Sequence, residues 1–246
     1  MPHSKIAVAQ IPSIAGDVTA NIATHLIAIE RAAQLGVSYV VFPELSLTGY
    51  EPELASTLAF TLDDPRLQPL IDAAISYNIY IGIGAPLRAE GGIHIGLLIL
   101  TPTGKVDSYA KIHLHPTEEQ YFIAGTTHHV WELEGLQIAD AICADTSHAV
   151  HIRSCVERGA EVYMAGVVIS GAGYDEDARV LQRYSQELDI LVAIANHNQP
   201  TGGWQCTGRS AIWVGGRLLA SANETNNALV IAEKQDDTWA GNIIEI

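Results

Sequence analysis

The chain has 246 residues, 48% hydrophobic and 17% charged, which supports a sizeable core and excludes a largely disordered protein. Thirteen Lys and Arg against 28 Asp and Glu give a formal charge of −15. Such a surface repels phosphate backbones, so nucleic acid is not an expected partner.

Short β-type runs alternate with helical stretches along the whole chain. Residues 5–11 read as a strand, and residues 21–35 carry apolar side chains at helical spacing until Gly36 stops them. The β-branched and aromatic run 37–42 fits a buried strand. Pro65 opens a helix through Tyr77, and a strand follows at 79–85. Residues 93–101 and 106–112, joined by Pro102-Thr103-Gly104-Lys105, read as a hairpin. Then come strand 137–143, helix 148–158, strand 161–168, helix 175–188 and strand 190–196. A second hairpin spans 211–214 and 217–220, around Gly215-Gly216. The alternation implies an α/β protein, while the hairpins argue against an all-parallel barrel and for mixed sheets. No repeat, low-complexity tract or linker interrupts the chain, so residues 1–246 read as one domain.

No window holds the roughly 18 uninterrupted apolar residues of a spanning helix, so no membrane partner is expected. The first residues lack a long apolar stretch and a small-residue cleavage site. Cys143, Cys155 and Cys206 are too few and scattered for a disulfide framework, which points to a reduced, cytoplasmic protein.

Three reactive side chains sit at the ends of apolar runs: Glu44 after Val40-Val41-Phe42-Pro43, Lys111 in Tyr109-Ala110-Lys111-Ile112-His113-Leu114, and Cys143 in Ala141-Ile142-Cys143-Ala144-Asp145. Strand ends in α/β proteins form crevices and are natural places for site residues. Each has a plainer reading: Cys143 as a small buried hydrophobe, Glu44 and Lys111 as a structural ion pair. Together they are complementary. A thiol at a strand-to-helix turn faces a partial positive charge that favours thiolate, a carboxylate can take its proton, and a lysine can stabilise an oxyanion.

The motifs Phe42-Pro43-Glu44-Leu45-Ser46-Leu47-Thr48-Gly49-Tyr50, Tyr109–Leu114 and Ile142-Cys143-Ala144-Asp145, in this order, resemble those of the carbon–nitrogen hydrolase family, the nitrilase superfamily. The resemblance implies a four-layer α-β-β-α sandwich with mixed sheets, a Glu44–Lys111–Cys143 triad, no metal or other cofactor, and homodimers or larger assemblies. The segment His115–Gly125 is similar to the family stretch carrying a second glutamate, here Glu118, with Glu119 as the alternative. Residues 193–196, ending in Asn196, and Thr207-Gly208-Arg209-Ser210-Ala211-Ile212 resemble two further family strands. After Cys143 the family's usual aromatic residue and arginine are replaced by Ala144 and Thr146-Ser147-His148, which opens the question of substrate class.

Other chemistry is less complete. His113 with His115, or His128 with His129, has no carboxylate or cysteine at ligand spacing. His197 could form a Cys–His dyad with Cys143, but Glu44 and Lys111 would then be unexplained. The glycines at 82–84 and 202–203 lack the Lys-Ser/Thr of a phosphate loop.

The expected activity is hydrolysis of a non-peptide C–N bond, foremost in a small-molecule amide. Glu44, Lys111, Cys143 and Glu118 are the catalytic candidates, and Ala144, Tyr50 and Asn196 the substrate-binding ones. Trp204 and Tyr174 are further aromatic candidates for the pocket. The alternatives are a nitrile or N-carbamoyl hydrolase with the same triad, or an inactive binding protein of the same fold.

Overall fold

The computed structural model describes residues 4–236 and 238–246. The β-branched runs become strands of two mixed sheets. In the first, β1 (Lys5–Gln10), β2 (Tyr39–Val41) and β3 (Tyr80–Ala89) run parallel at the centre. β4 (Gly92–Leu100) and β5 (Val106–Ala110) extend one edge as antiparallel hairpins. The second sheet repeats this plan: β7 (Leu136–Ile142), β8 (Val162–Val167) and β9 (Leu191–Asn196) are parallel, flanked by antiparallel β6 (His129–Leu133) and the pair β10 (Ala211–Val214) and β11 (Arg217–Ser221). β12 (Ala228–Gln235) and β13 (Thr238–Glu245) return to the first sheet beside β1.

Helices cover the outer faces. α1 (Val18–Gln34) and α3 (Gln68–Tyr77) pack on the first sheet, with the short α2 (Ala55–Leu58) between them in sequence. α4 (Ala149–Glu157) and α5 (Gly171–Glu187) pack on the second. Three apolar layers result. Ala28, Ile29 and Leu70 meet Val40 and Ile81 in one outer core, and Ile152 and Leu181 meet Ala165 and Ile194 in the other. Val8, Val41, Ile95 and Ile99 meet Ile138, Met164 and Ile212 between the sheets. The fold is thus the expected α-β-β-α sandwich with mixed sheets.

The differences from the sequence reading have local causes. α1 begins at Val18 rather than residue 21, because Asp17 Oδ1 accepts a hydrogen bond from Ala20 N at 3.0 Å and caps the helix. The segment opened by Pro65 is a 3-10 turn before α3 starts at Gln68. Two hairpins were not anticipated. β6 and β7 are joined at Glu134-Gly135, both at positive φ (52° and 86°), the backbone a tight hairpin turn requires. β12 and β13 pair along their whole length, yet β13 is mostly exposed and shows no buried alternation.

Two glycines set the position of the loop after β2. A Cβ on Gly84 would lie 2.3 Å from Leu45 N and 2.4 Å from Pro43 O; one on Gly166 would lie 2.5 Å from Phe42 O. The loop carrying Glu44 is therefore pinched between β3 of one sheet and β8 of the other. Gly84→Ala is expected to push this loop away and to destabilise the protein by about 1–3 kcal/mol, the usual range for overpacking. Chemical denaturation of the two proteins side by side checks it, and unchanged stability would contradict the close approach.

Candidate active site

Glu44, Lys111 and Cys143 each follow a strand, and the two sheets bring Glu44 and Cys143 to the wall of one pocket, with Lys111 bonded to Glu44. Lys111 leaves the end of β5 and is fully buried. Its backbone is held on both sides, Lys111 N to Ile95 O at 2.9 Å and Gly125 N to Lys111 O at 2.7 Å. The ammonium Nζ donates to Glu44 Oε1 at 2.7 Å and to Glu118 Oε1 and Oε2 at 2.8 and 2.9 Å. Glu118 is fixed in turn by Tyr50 OH at 2.7 Å and His115 N at 2.8 Å. Glu118, not Glu119, is the glutamate the fold turns inward. The second oxygen of Glu44, Oε2, is buried with no hydrogen-bond partner among the described residues.

Cys143 opens a five-residue 3-10 turn directly after β7, at φ 41°. A non-glycine residue in the left-handed region is strained, and such strain concentrates at functional turns. The thiol contacts Val168 O at 3.8 Å. Ala144 N lies in the first turn of this short helix, where backbone N–H groups lack intrahelical acceptors. A cavity of about 160 Å³ is lined by Glu44, Glu118, Cys143, Ala144, Tyr50 and Trp204, among others.

Electrostatics follow from this burial. Burial pushes the Glu44 carboxyl up to about 7, with Lys111 opposing and Glu118 adding to the rise. Burial alone would lower the Lys111 value, but Glu44, Cys143 and Glu118 hold it above the usual lysine range. Burial, then the charge of Glu44, pushes the Cys143 thiol well above its ordinary value against the pull of Lys111. This runs against the expectation of a thiolate favoured by a helix terminus, since burial and the neighbouring carboxylate both favour the protonated sulfur. The desolvation and the adjacent carboxylate outweigh the partial charge of one short turn.

The sequence profile described as carbon-nitrogen hydrolase matches residues 5–241. The chain belongs to the carbon–nitrogen hydrolase family. An (R)-stereoselective amidase from a Pseudomonas species is 28% identical over 198 residues, 78% of this chain and 70% of that protein. A nitrilase from Pyrococcus abyssi is 26% identical over 213 residues, covering 83% and 79%. In three dimensions the fold matches the amidase of Nesterenkonia sp. AN1 with a TM-score of 0.87 at 24% identity, over 95% of this chain and 91% of that one. That amidase, with a glutamate replaced by leucine, carries the acetamide moiety of fluoroacetamide added covalently at its active-site cysteine.

In this carbon–nitrogen hydrolase several expected residues take other places. Asn196 does not reach the cavity. It is fully buried, its Oδ1 accepting from Ile169 N and its Nδ2 donating to Ile169 O and Gly208 O, each at 2.9 Å. Asn196 therefore braces the Val168–Ile169 wall rather than touching substrate, because every polar atom of its side chain is already engaged. Tyr174 is also buried, donating to Arg209 O. His197 does not meet Cys143; its Nε2 donates to the Glu44 backbone oxygen at 2.9 Å, and burial lowers its pKa to about 4. Tyr50 and Trp204 do line the cavity.

Asp145 joins two parts of the site. Its Oδ1 accepts from His113 N at 2.9 Å and Ile112 N at 3.2 Å, and its Oδ2 from Tyr109 OH at 2.7 Å and Ile142 N at 3.1 Å. It thus ties the strand end bearing Lys111 to the turn bearing Cys143. Burial works to raise its carboxyl, yet the hydrogen bond from His113, the charge of His151 and the bond from Tyr109 bring it below the usual range. His128, His151 and Cys155 come within 4.8 Å of one another behind this turn. Both ring nitrogens of His151 are occupied by Tyr109 OH and Tyr163 OH at 2.8 and 2.9 Å. His115, which heads the segment containing Glu118, lines the cavity too, as do Ser147 and Asp177, which no periodicity or motif in the sequence marked as pocket residues.

Proposed function

We propose that the protein hydrolyses a small-molecule amide through a thioester on Cys143. The observation that carries the reading is the unpartnered, buried Oε2 of Glu44, in a cavity shared with the Cys143 thiol and beside an ammonium fixed by two carboxylates. Glu44 takes the thiol proton as sulfur attacks the carbonyl carbon. Lys111 Nζ and Ala144 N–H hold the oxyanion. The tetrahedral adduct collapses, the C–N bond breaks, and Glu44 returns the proton to the departing ammonia or amine. Glu44 then deprotonates water, which cleaves the thioester to a carboxylic acid and the free thiol. Glu118 does not move protons in this scheme; with Tyr50 it keeps Lys111 charged and in place. The similarity to an amidase from Pseudomonas supports an amide substrate, and the similarity to a nitrilase from Pyrococcus abyssi is the reason nitriles belong in the test. The same reading expects one domain over residues 1–246, a cytoplasmic setting that keeps Cys143 reduced, no cofactor, and a homodimer or larger assembly.

A panel of simple amides, N-carbamoyl amines and nitriles, with ammonia release as readout, tests this reading. Turnover of amides is expected, and turnover of nitriles alone would overturn it. The pH profile carries its own expectation. Glu44 acts as a base only when ionised, and its pKa sits at about 7, above the ordinary carboxylate value. kcat/KM should therefore fall about tenfold per pH unit below about pH 7. A plateau reaching down to the ordinary glutamate range would exclude Glu44 as the base.

A further inference from the structure

We infer that the cavity takes an amide whose far end carries a primary ammonium or guanidinium group, held by Asp177; this rests on the amidase reading above. Asp177 lies in α5, in the acidic run Asp175-Glu176-Asp177. Asp175 pairs with Arg209 at 3.0 Å, and Glu176 pairs with Arg179. Asp177 is half-buried in the cavity wall and has no basic partner among the described residues. A carboxylate withdrawn from water without a cation is costly, and a ligand that supplies the cation removes that cost.

The rest of the wall points the same way. The lysine beside the reacting centre, Lys111, has its ammonium already bound to Glu44 and Glu118. Three carboxylates thus face the cavity region against that lysine, and the net field disfavours an anionic substrate. Burial and the neighbouring Glu176 push the Asp177 carboxyl upward, the direction that an incoming cation would reverse. Trp204 offers an exposed aromatic face in the same wall, a surface on which a cation can also rest. A smaller recess bounded by Thr146, Ser147, Asp177 and Val180 adjoins the main cavity, so there is room beside the carboxylate for the end of a chain.

The test compares linear amides of matched length that end in methyl, ammonium or carboxylate. In the wild-type protein kcat/KM should favour ammonium over methyl by about 10- to 100-fold, the scale of a charge-assisted hydrogen bond, with carboxylate slowest. Asp177→Asn should bring the ammonium-to-methyl ratio close to one, and Asp177→Lys should move the preference to carboxylate. A structural role for Asp177 would lower all three rates alike and leave the ratio standing, which would overturn the proposal. So would a wild-type preference for methyl. If no amide is hydrolysed, the amidase reading falls by itself. Calorimetric binding of the same three compounds to Cys143→Ala then decides the charge preference separately, ammonium binding tightest if the inference holds and equally with methyl if it fails.

Discussion

Replacing Cys143 by alanine is expected to lower kcat on any true substrate by on the order of 10⁴–10⁶, the scale for removing a covalent nucleophile. The fold should survive. Alanine keeps the Cβ, so the backbone at φ 41° bears the same strain as before. The turn is held by Thr146 Oγ1 on Cys143 O at 2.7 Å and by Asp145, none of which involves sulfur. The other cysteines provide the contrast. Cys155 is buried on the inner face of α4 and Cys206 is half-buried, and burial pushes both thiols up to about 12. Cys155→Ala should lower Tm by leaving a small void, and Cys206→Ala should change little; both should keep most of the activity. Near-normal kcat in Cys143→Ala would remove it as the nucleophile.

Lys111→Ala should produce the second-largest loss, and through two routes. The oxyanion loses its cation, worth on the order of 10²–10³ in kcat by comparison with the loss of one oxyanion-hole donor. The buried Glu44 and Glu118 also lose the charge that offsets them, which costs about 3–5 kcal/mol for a broken buried pair and lowers Tm. Part of that cost is relieved by protonation. Without Lys111 the Glu44 carboxyl should rise further above about 7, so the acid limb of the rate profile should move to higher pH. Lys111→Arg should rescue little, because a planar guanidinium does not fit the site of a compact ammonium with three fixed oxygen acceptors. A purely structural lysine predicts otherwise: a lower Tm, but an unshifted pH profile and nearly full kcat in the protein that stays folded.

The central strands were legible because burial on both faces writes continuous apolar runs such as Tyr39-Val40-Val41 and Leu191 through Ala195. The outer strand β13 was not, since an edge strand with most side chains in solvent needs no apolar pattern. At the site, Glu44, Lys111 and Cys143 stood out as charged or reactive groups inside apolar segments. Glu118 needed the resemblance to separate it from Glu119. Asn196 was misplaced because a strand end fixes where a residue sits, not which way its amide points. The surroundings of the Cys143 thiol were hidden for a related reason. The sequence shows that a helical turn begins there, but the opposing effects of burial and of Glu44 arise only when the first sheet, whose β2 leads into Glu44, packs against it. Asp177 carried no signal at all, because its meaning lies in a missing partner.

The thioester itself can be observed. Enzyme mixed with an amide substrate and quenched in acid during turnover should show, by mass spectrometry, an added mass equal to the acyl group. Digestion should place that mass on the peptide bearing Cys143, and hydroxylamine treatment should remove it. Steady turnover with no acyl adduct, or an adduct confined to Cys155 or Cys206, would contradict covalent catalysis at Cys143.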